Sequence, residues 1–187
     1  MEDKMKNYTI SKERSLEIGT ALVNLLGGDK TIELIDTGLE HEYALVSAVF
    51  YEETSEGFKY IIYLPIGDLI PLETRGPHKA RVSDFLESND IEETADTIAM
   101  FVILHELGHI DYMEVMDKNE LLHVVEFVTE HNHRFSMIAI DDRHAQESKD
   151  EGVDIRYRLR PEEMFADAYA YREYVKAYKY LKQEGVL

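Results

Sequence analysis

The feature that most constrains the fold is an uninterrupted apolar run, residues 98–104, that leads directly into His105-Glu106-Leu107-Gly108-His109. The run contains no helix breaker, which indicates a helix buried in the interior of the protein. Burying two histidine rings at the end of such a helix is costly unless something bonds both of them. A metal ion would do so, and the pattern therefore predicts a buried helix that carries two metal ligands.

The spacing within this pentapeptide suits catalysis by a bound metal. Residues four apart on a helix share one face and lie about 6 Å apart, so His105 and His109 can direct ring nitrogens at one ion. Glu106 then lies beside the remaining coordination position, where a carboxylate can take a proton from water, whose pKa a catalytic zinc lowers to about 7. The alternative is that both histidines are hydrogen-bonded core residues.

The third ligand is expected far along the chain. The metzincin pattern needs Gly and His three and six residues after the second histidine, but Tyr112 and Val115 stand there, so that class is excluded. The alternative is a glutamate on a later helix. Glu163 fits this role because Pro161 suits the first turn of a helix. If the helix register differs by one residue, Glu162 is the ligand and Glu163 only stabilises the helix N-terminus.

The residues after Glu163 support this placement. Glu163 and Asp167 share a helix face, so Glu163 would complete a His-His-Glu site. Asp167 would accept a hydrogen bond from the far nitrogen of a ligating histidine, or would be an exposed polar residue without such a role. Three alanines make a slender surface that can approach another helix closely: Ala166, Ala168 and Ala170.

Taken together, His105-Glu106-Leu107-Gly108-His109 and Glu163-Met164-Phe165-Ala166-Asp167 resemble the gluzincin metallopeptidases, whose later motif is Glu-x-x-Ala-Asp or a close relative. Within that clan the chain is similar to the ImmA/IrrE type, intracellular peptidases that regulate or cleave repressor-like proteins. The resemblance implies a zincin-like fold, zinc ligation by His105, His109 and Glu163, Glu106 as the catalytic base, and Asp167 as the partner of a ligand. It covers two short motifs, and the interval between them is longer than is usual for the family.

We therefore expect a zinc-dependent intracellular metallopeptidase that holds one Zn²⁺ per chain and hydrolyses a peptide bond in a protein or peptide substrate, for instance a regulatory or repressor-like protein. A substrate strand is expected to pair with a sheet edge at residues 60–64. The donor that stabilises the oxyanion is left open among His131, His133, His144 and the tyrosines of the last helix, which are more typical of packing. The alternative function is a zinc-binding regulatory or interaction protein, with vestigial or no peptidase activity, that acts through its acidic surface.

Composition narrows these expectations. Cysteine is absent, so a metal must use nitrogen and oxygen ligands. The net charge of −18 argues against direct nucleic-acid binding, which needs a clustered basic surface. Residues 1–6 lead into a polar segment and not into an apolar signal core, and no run of eighteen apolar residues occurs, so we expect a cytoplasmic protein without a membrane association. The oligomeric state is not determined.

Periodicity predicts one α+β domain over residues 1–187, with a small, mostly antiparallel sheet packed on helices. The expected elements are helices at 11–26, from about 91 to 116 and at 161–184, a strand at 31–36, and a hairpin of 43–52 with 58–64. Residues 65–80 are expected to be a loop, and Asn89 or Asp90 to cap the histidine helix. Residues 117–160 are expected to form an insertion, with helices at 120–129 and 134–146.

Overall fold

The computed structural model describes residues 8–36, 49–54, 57–69, 77–115 and 161–187. Within these ranges the elements are β1 (Thr9–Ile10), α1 (Lys12–Leu26), β2 (Thr31–Ile35), β3 (Val49–Thr54), β4 (Gly57–Tyr63), β5 (Gly67–Asp68), α2 (Pro77–Ser88), α3 (Ala95–Val115) and α4 (Pro161–Gln183). The predicted α+β class is confirmed. The helices predicted in the insertion at 117–160 lie outside the described residues. Among the helices of the described ranges, none combines the length and apolar character needed to cross a bilayer.

The larger sheet has three strands in the order β2-β4-β3. β3 and β4 pair antiparallel from Val49 opposite Ile62 to Thr54 opposite Gly57, which confirms the predicted hairpin. β2 pairs parallel with β4, so this sheet is mixed, and the expectation of a mostly antiparallel sheet is not confirmed. The alternating pattern of a strand identifies the strand but not the direction of its neighbour. β1 and β5 form a separate antiparallel pair.

The prediction of a sheet edge at residues 60–64 is wrong. β4 is the central strand, and Tyr60 lies opposite Ile32 in β2 and opposite Tyr51 in β3. Just beyond the strand, the backbone N–H of Leu64 donates to the carbonyl of Ile35 at 2.9 Å. A strand that is paired on both sides has no free N–H and C=O row for a substrate strand, so β4 cannot dock one.

Helix α3 is the centre of the core, as the apolar run predicted. Its side chains are buried on every face from Thr97 to Gly108. It packs most extensively against α4, and also against α1, β1, β3 and β4. A helix that is apolar on all sides must be covered on all sides, and this helix carries His105 into the covered interior and His109 to its margin.

The segment that precedes α3 differs from the prediction of a loop and a cap. The predicted loop at 65–80 contains β5 and the beginning of α2, because Pro77 stands at the first helical position, where its missing N–H costs nothing. Asn89 and Asp90 end α2 and do not cap α3. Asp90 has a φ of 54°, and the N–H of Ile91 donates to the carbonyl of Leu86 at 2.9 Å.

The true N-terminal cap of α3 is Thr94. Its hydroxyl accepts from the N–H of Thr97 at 3.2 Å, and its own N–H donates to the hydroxyl of Thr97 at 2.8 Å. This reciprocal pair satisfies backbone donors in the manner of a capping box. A second threonine in place of the usual Glu or Gln explains why the pattern was not recognised in the sequence.

Helix α1 begins and ends as predicted. The side chain of Ser11 accepts from the N–H of Arg14 at 3.2 Å, and Gly27 follows the last turn. The guanidinium of Arg14 also donates twice to Asp96 in the first turn of α3, at 3.0 and 2.7 Å. α1 is thereby joined to the helix that carries the histidines. The final helix, Pro161–Gln183, also agrees with its prediction.

Candidate metal centre

His105 and His109 lie on one face of α3, one turn apart. Their ring centroids are 4.7 Å apart with an interplanar angle of 89°, and their Nε2 atoms are 3.1 Å apart. His105 is buried, whereas His109 is partly exposed. The two Nε2 atoms therefore face the same small volume, as expected if both bind one ion.

Glu163 in the first turn of α4 completes the group. Its Oε2 lies 3.3 Å from Nε2 of His105, and its Oε1 lies 3.6 Å from Nε2 of His109. The carboxylate is only 4% exposed. One ligand atom from each of the three residues lies within 4.8 Å of the others, so the group can hold a metal ion. The side chain of Glu162, the alternative ligand, lies outside the described residues.

A close approach of α3 and α4 at Gly108 makes this meeting possible. A Cβ atom at Gly108 would lie 2.8 Å from Cα of Ala166 and 2.9 Å from Cβ of Tyr169. Cβ atoms in proteins essentially never lie this close to another heavy atom, so any side chain at position 108 would push the two helices apart. Ala166 and Ala170 are fully buried in this contact region, whereas Ala168 is exposed. Two of the three alanines thus have the packing role predicted for them.

The importance of Gly108 was missed in the sequence, although a signal was present. A glycine inside a helix costs about 1 kcal/mol relative to alanine, so it needs a reason. Position 108 is one of the two unspecified positions of the motif His-Glu-x-x-His, so the motif gives no reason for a glycine there. The structure supplies it: the backbone of α4 occupies the space that a side chain would fill.

Asp167 lies one turn after Glu163 and contacts the other side of the His105 ring. Its Oδ1 is 2.9 Å from Nδ1 of His105. With Nδ1–H donating to this carboxylate, Nε2 is the ring nitrogen that faces Glu163 and His109 and is left to bind an ion. Such a carboxylate fixes the ring orientation and raises the basicity of the ligand. The interpretation of Asp167 as a merely exposed residue does not fit this contact.

Without a metal ion, the surroundings of His105 raise its pKa to about 9. Burial alone lowers the pKa, because desolvation disfavours the charged ring. Hydrogen bonds to Asp167 and Glu163 and the nearby charge of Glu106 outweigh the effect of burial. The ring is therefore protonated on both nitrogens at neutral pH, and an ion bound at Nε2 would displace one proton while Nδ1 keeps its proton and donates it to the hydrogen bond with Asp167.

Glu106 is buried next to the first histidine, with 5% of its surface exposed. Its negative charge contributes to the raised pKa of His105, the residue before it in the chain. A carboxylate buried at this depth needs bonded or charged neighbours, and an ion held by His105, His109 and Glu163 would provide one. Glu106 is thus a buried carboxylate next to one of the three grouped residues in the chain, and it does not belong to that group.

The other candidates for the site are three histidines and the tyrosines of the last helix. Three histidines proposed as oxyanion donors lie outside the described residues: His131, His133 and His144. Two tyrosines of α4 pack in the core: the buried hydroxyl of Tyr174 donates to the carbonyl of Thr97 at 2.7 Å, and Tyr171 meets Phe85 and Phe101 edge to face. Their role in packing agrees with the prediction.

A contact between the sheet and α3 was not anticipated. The hydroxyl of Tyr60 in β4 donates to the carboxylate of Glu114, in the last turn of α3. Burial, and then this hydrogen bond, raise the pKa of Tyr60. The contact holds the end of α3 against the sheet. No short-range sequence pattern could reveal it, since it joins residues distant in the chain.

The fold and the site together define an α+β protein with a candidate metal centre of two imidazole nitrogens and one carboxylate. The donor set contains no thiolate, since the chain has no cysteine. Neither a family model, nor a curated protein, nor a solved structure matches this chain. The function must therefore be inferred from the chemistry of the site.

Proposed function

We propose that this protein is a zinc-dependent metallopeptidase that cleaves a peptide bond in a protein substrate. The proposal is supported by the convergence of His105, His109 and Glu163 on one small volume and by the burial of Glu106, which follows His105 on the same helix. Two imidazoles and one carboxylate are the protein ligands of catalytic zinc in peptidases, and they leave a coordination position open. A structural zinc site would fill that position with a fourth protein ligand.

Each residue then has a distinct task. When bound, zinc supplies a Lewis acid that polarises the scissile carbonyl and makes the attacking water more acidic. Glu106 takes the proton of that water and delivers it to the leaving amine. Asp167 holds the ring of His105 by its Nδ1–H, at 2.9 Å, so that Nε2 remains directed at the centre. Burial of Glu106 and Glu163 keeps bulk water from competing for these contacts.

We also propose a zincin-like active-site arrangement and a substrate of the regulatory or repressor-like kind. The support is the resemblance of the two motifs to the ImmA/IrrE peptidases, together with one contact. Asp167, the last residue of the later motif, bonds to His105, the first residue of the earlier one. The two motifs are therefore in direct contact at the His105 ring, which is the arrangement that the resemblance implies.

The decisive experiment compares zinc content and turnover in the wild type and three carboxylate variants. Glu106→Gln removes the base, and we expect about one zinc per chain with turnover at least about 10²-fold lower. Glu163→Gln removes a ligand and should lower zinc content itself. Glu173→Gln makes the same chemical change on α4, in a residue that pairs with Arg172, and should leave both quantities unchanged.

Turnover is measured on a candidate repressor or on a cell-lysate proteome, and zinc by metal analysis. Substoichiometric zinc in the wild type, unchanged by His105→Ala or His109→Ala, would remove the basis of the proposal. If Glu106→Gln supports the biological effect as well as the wild type does, hydrolysis is not the function. The alternative function, that of a zinc-binding regulatory protein that acts through its acidic surface, would then be favoured.

A further inference from the structure

A second surface lies between α1 and the end of α4. It is an open groove of about 500 Å³, lined on one side by residues of α1 and on the other by Tyr180, Glu184 and Val186. Leu16 lies in it with 41% of its surface exposed, and it is one of three exposed large apolar residues within the described ranges. Ala21 and Val186, both partly buried, extend the apolar part of the lining. A groove with an exposed leucine can bind an apolar side chain of a partner.

The charged residues of the groove all carry one sign. Its lining includes Glu13, Glu17 and Glu184, and no lysine or arginine. Arg14 pairs with Glu17 at 2.6 Å, but its charge is also shared with Asp96, which accepts two hydrogen bonds from it. The group of Arg14, Glu17 and Asp96 therefore remains negative. The charge of the groove is complementary to lysine or arginine side chains.

Two lysines close in the chain to lining residues of the groove make contacts elsewhere. Lys12 pairs with Asp36 at 2.8 Å, and Lys182 lies over the ring of Tyr178, 5.4 Å from its centroid. A second copy of a chain with a net charge of −18 is a poor occupant, because like charges would face each other. Charge complementarity instead favours a cationic partner with an apolar residue.

The groove is separate from the candidate metal centre. Both involve α4, but Glu163 lies in its first turn and Tyr180 near its end, which at 1.5 Å per residue places them about 25 Å apart. An extended chain needs about eight residues to cover that distance. A single protein could therefore reach both places, although neither depends on the other for its binding.

We propose that this groove is a docking surface for a cationic, amphipathic segment of a partner protein. An apolar side chain of the segment packs on Leu16, and flanking lysine or arginine side chains pair with Glu17 and Glu184. The proposal does not rest on the metal centre or on peptidase activity, because every residue in it lies outside that site.

The probe is a short peptide that alternates lysine with leucine and carries one tryptophan. The chain has no tryptophan of its own, so the fluorescence of the peptide reports binding. Two control peptides replace every leucine by serine or every lysine by glutamate. The full-length variants are Leu16→Ser, the pair Glu17→Gln with Glu184→Gln, and the matched pair Asp84→Asn with Glu87→Gln, which removes two exposed acids outside the groove. Circular dichroism and zinc content check that each variant is folded.

We expect the lysine-leucine peptide to bind the wild type, and Leu16→Ser and the groove charge pair each to weaken binding about five- to tenfold at low salt. The matched pair at Asp84 and Glu87 should change binding less than twofold. The proposal would be overturned if both charge-pair variants lost the same amount of binding, or if the lysine-serine peptide bound as tightly as the lysine-leucine peptide. Either result would show only a general attraction to an acidic surface. The absence of binding to the wild type would overturn it as well, whatever the zinc assays show.

Discussion

The two ends of helix α4 are held in opposite ways. Its first half packs on α3 with backbone against backbone at Gly108, and buries Glu163 beside two histidines. Its last turns face α1 across an open groove, where glutamates lie in solvent. At the first end, the carboxylates of Glu163 and Asp167 each lie against histidine ring nitrogens in a mostly buried space. At the second end, the carboxylates are exposed and their charges are screened by water.

This difference determines how strongly each end responds to change. In a buried site a missing partner leaves a charge or a polar group unsatisfied, which costs much more than the same loss at the surface. We therefore expect large, coupled effects on stability and metal binding near Gly108 and Asp167. Near α1, the effects should be small and confined to the interaction that was changed. Four predictions test this contrast, in order of decreasing effect.

The largest effect is expected for Gly108→Ala. The added Cβ meets backbone atoms of α4 and cannot be accommodated by rotation of a side chain, so the helices must separate. Overpacking costs about 1–3 kcal/mol, only partly offset by the better helix propensity of alanine. Separation also moves Glu163 away from the histidines, so zinc affinity should fall together with the denaturation midpoint.

The matched control for Gly108→Ala is Gly19→Ala in α1. There the three nearest atoms to the added Cβ would be methyl groups at the ends of side chains: those of Leu64 and Leu34 at 3.0 and 3.1 Å, which can shift, and that of Ile103 at 3.7 Å. The control should be close to neutral in urea unfolding and should leave zinc content unchanged. Equal behaviour of the two variants would contradict the view that backbone contact at Gly108 positions the ligands.

Asp167→Asn should lower zinc affinity about 10- to 100-fold, without loss of the fold. The amide can still accept from Nδ1–H of His105, but it supplies no negative charge to raise the basicity of the ring. Competition with a chelator measures the affinity. Asp111→Asn, on α3 and outside the ligand group, is the control, and an equal loss in that variant would show that general charge is responsible.

Zinc affinity should depend on pH with a definite sign. The pKa of His105 is raised to about 9, so below that pH zinc must displace a proton from Nε2. Affinity should therefore rise about tenfold per pH unit between pH 7 and 8.5 and level off above pH 9. Calorimetry in buffers of different ionisation enthalpy should show about one proton released at pH 7.5, and release of none would contradict the raised pKa.

The smallest effect is expected for Arg14→Gln at the α1 side. This variant loses the two hydrogen bonds to Asp96 and the pair with Glu17, all partly exposed to solvent. Surface ion pairs of this kind contribute about 0–1 kcal/mol each, so the free energy of unfolding should fall by about 1 kcal/mol or less. Zinc content should not change, and a loss of zinc here would contradict the independence of the two regions.

Much of the fold that surrounds the metal centre could be predicted from local patterns. Ser11 as a cap, the hairpin of β3 and β4, the buried α3 and the proline at the start of α4 all follow from rules that act over a few residues. The ligand residues could be proposed for the same reason, because helical spacing alone places His105 and His109 on one face. The wrong predictions concern residues whose local pattern is compatible with two different structures. Pro77 begins a helix in a segment that resembled a loop, and Asn89 ends a helix where a cap was expected.

By itself, the sequence determined which side chains can bind a metal and that their helix is buried, because these properties depend on residue type and helical period. Only the tertiary structure decided that Glu163 faces both histidines, that Asp167 bonds Nδ1 of His105, and that Gly108 allows α4 to lie so close. It also decided that β4 is a central strand and offers no edge. The physical reason is that contacts between distant segments depend on how whole helices and strands pack against each other. The short-range periodicity of a sequence carries no information about that packing.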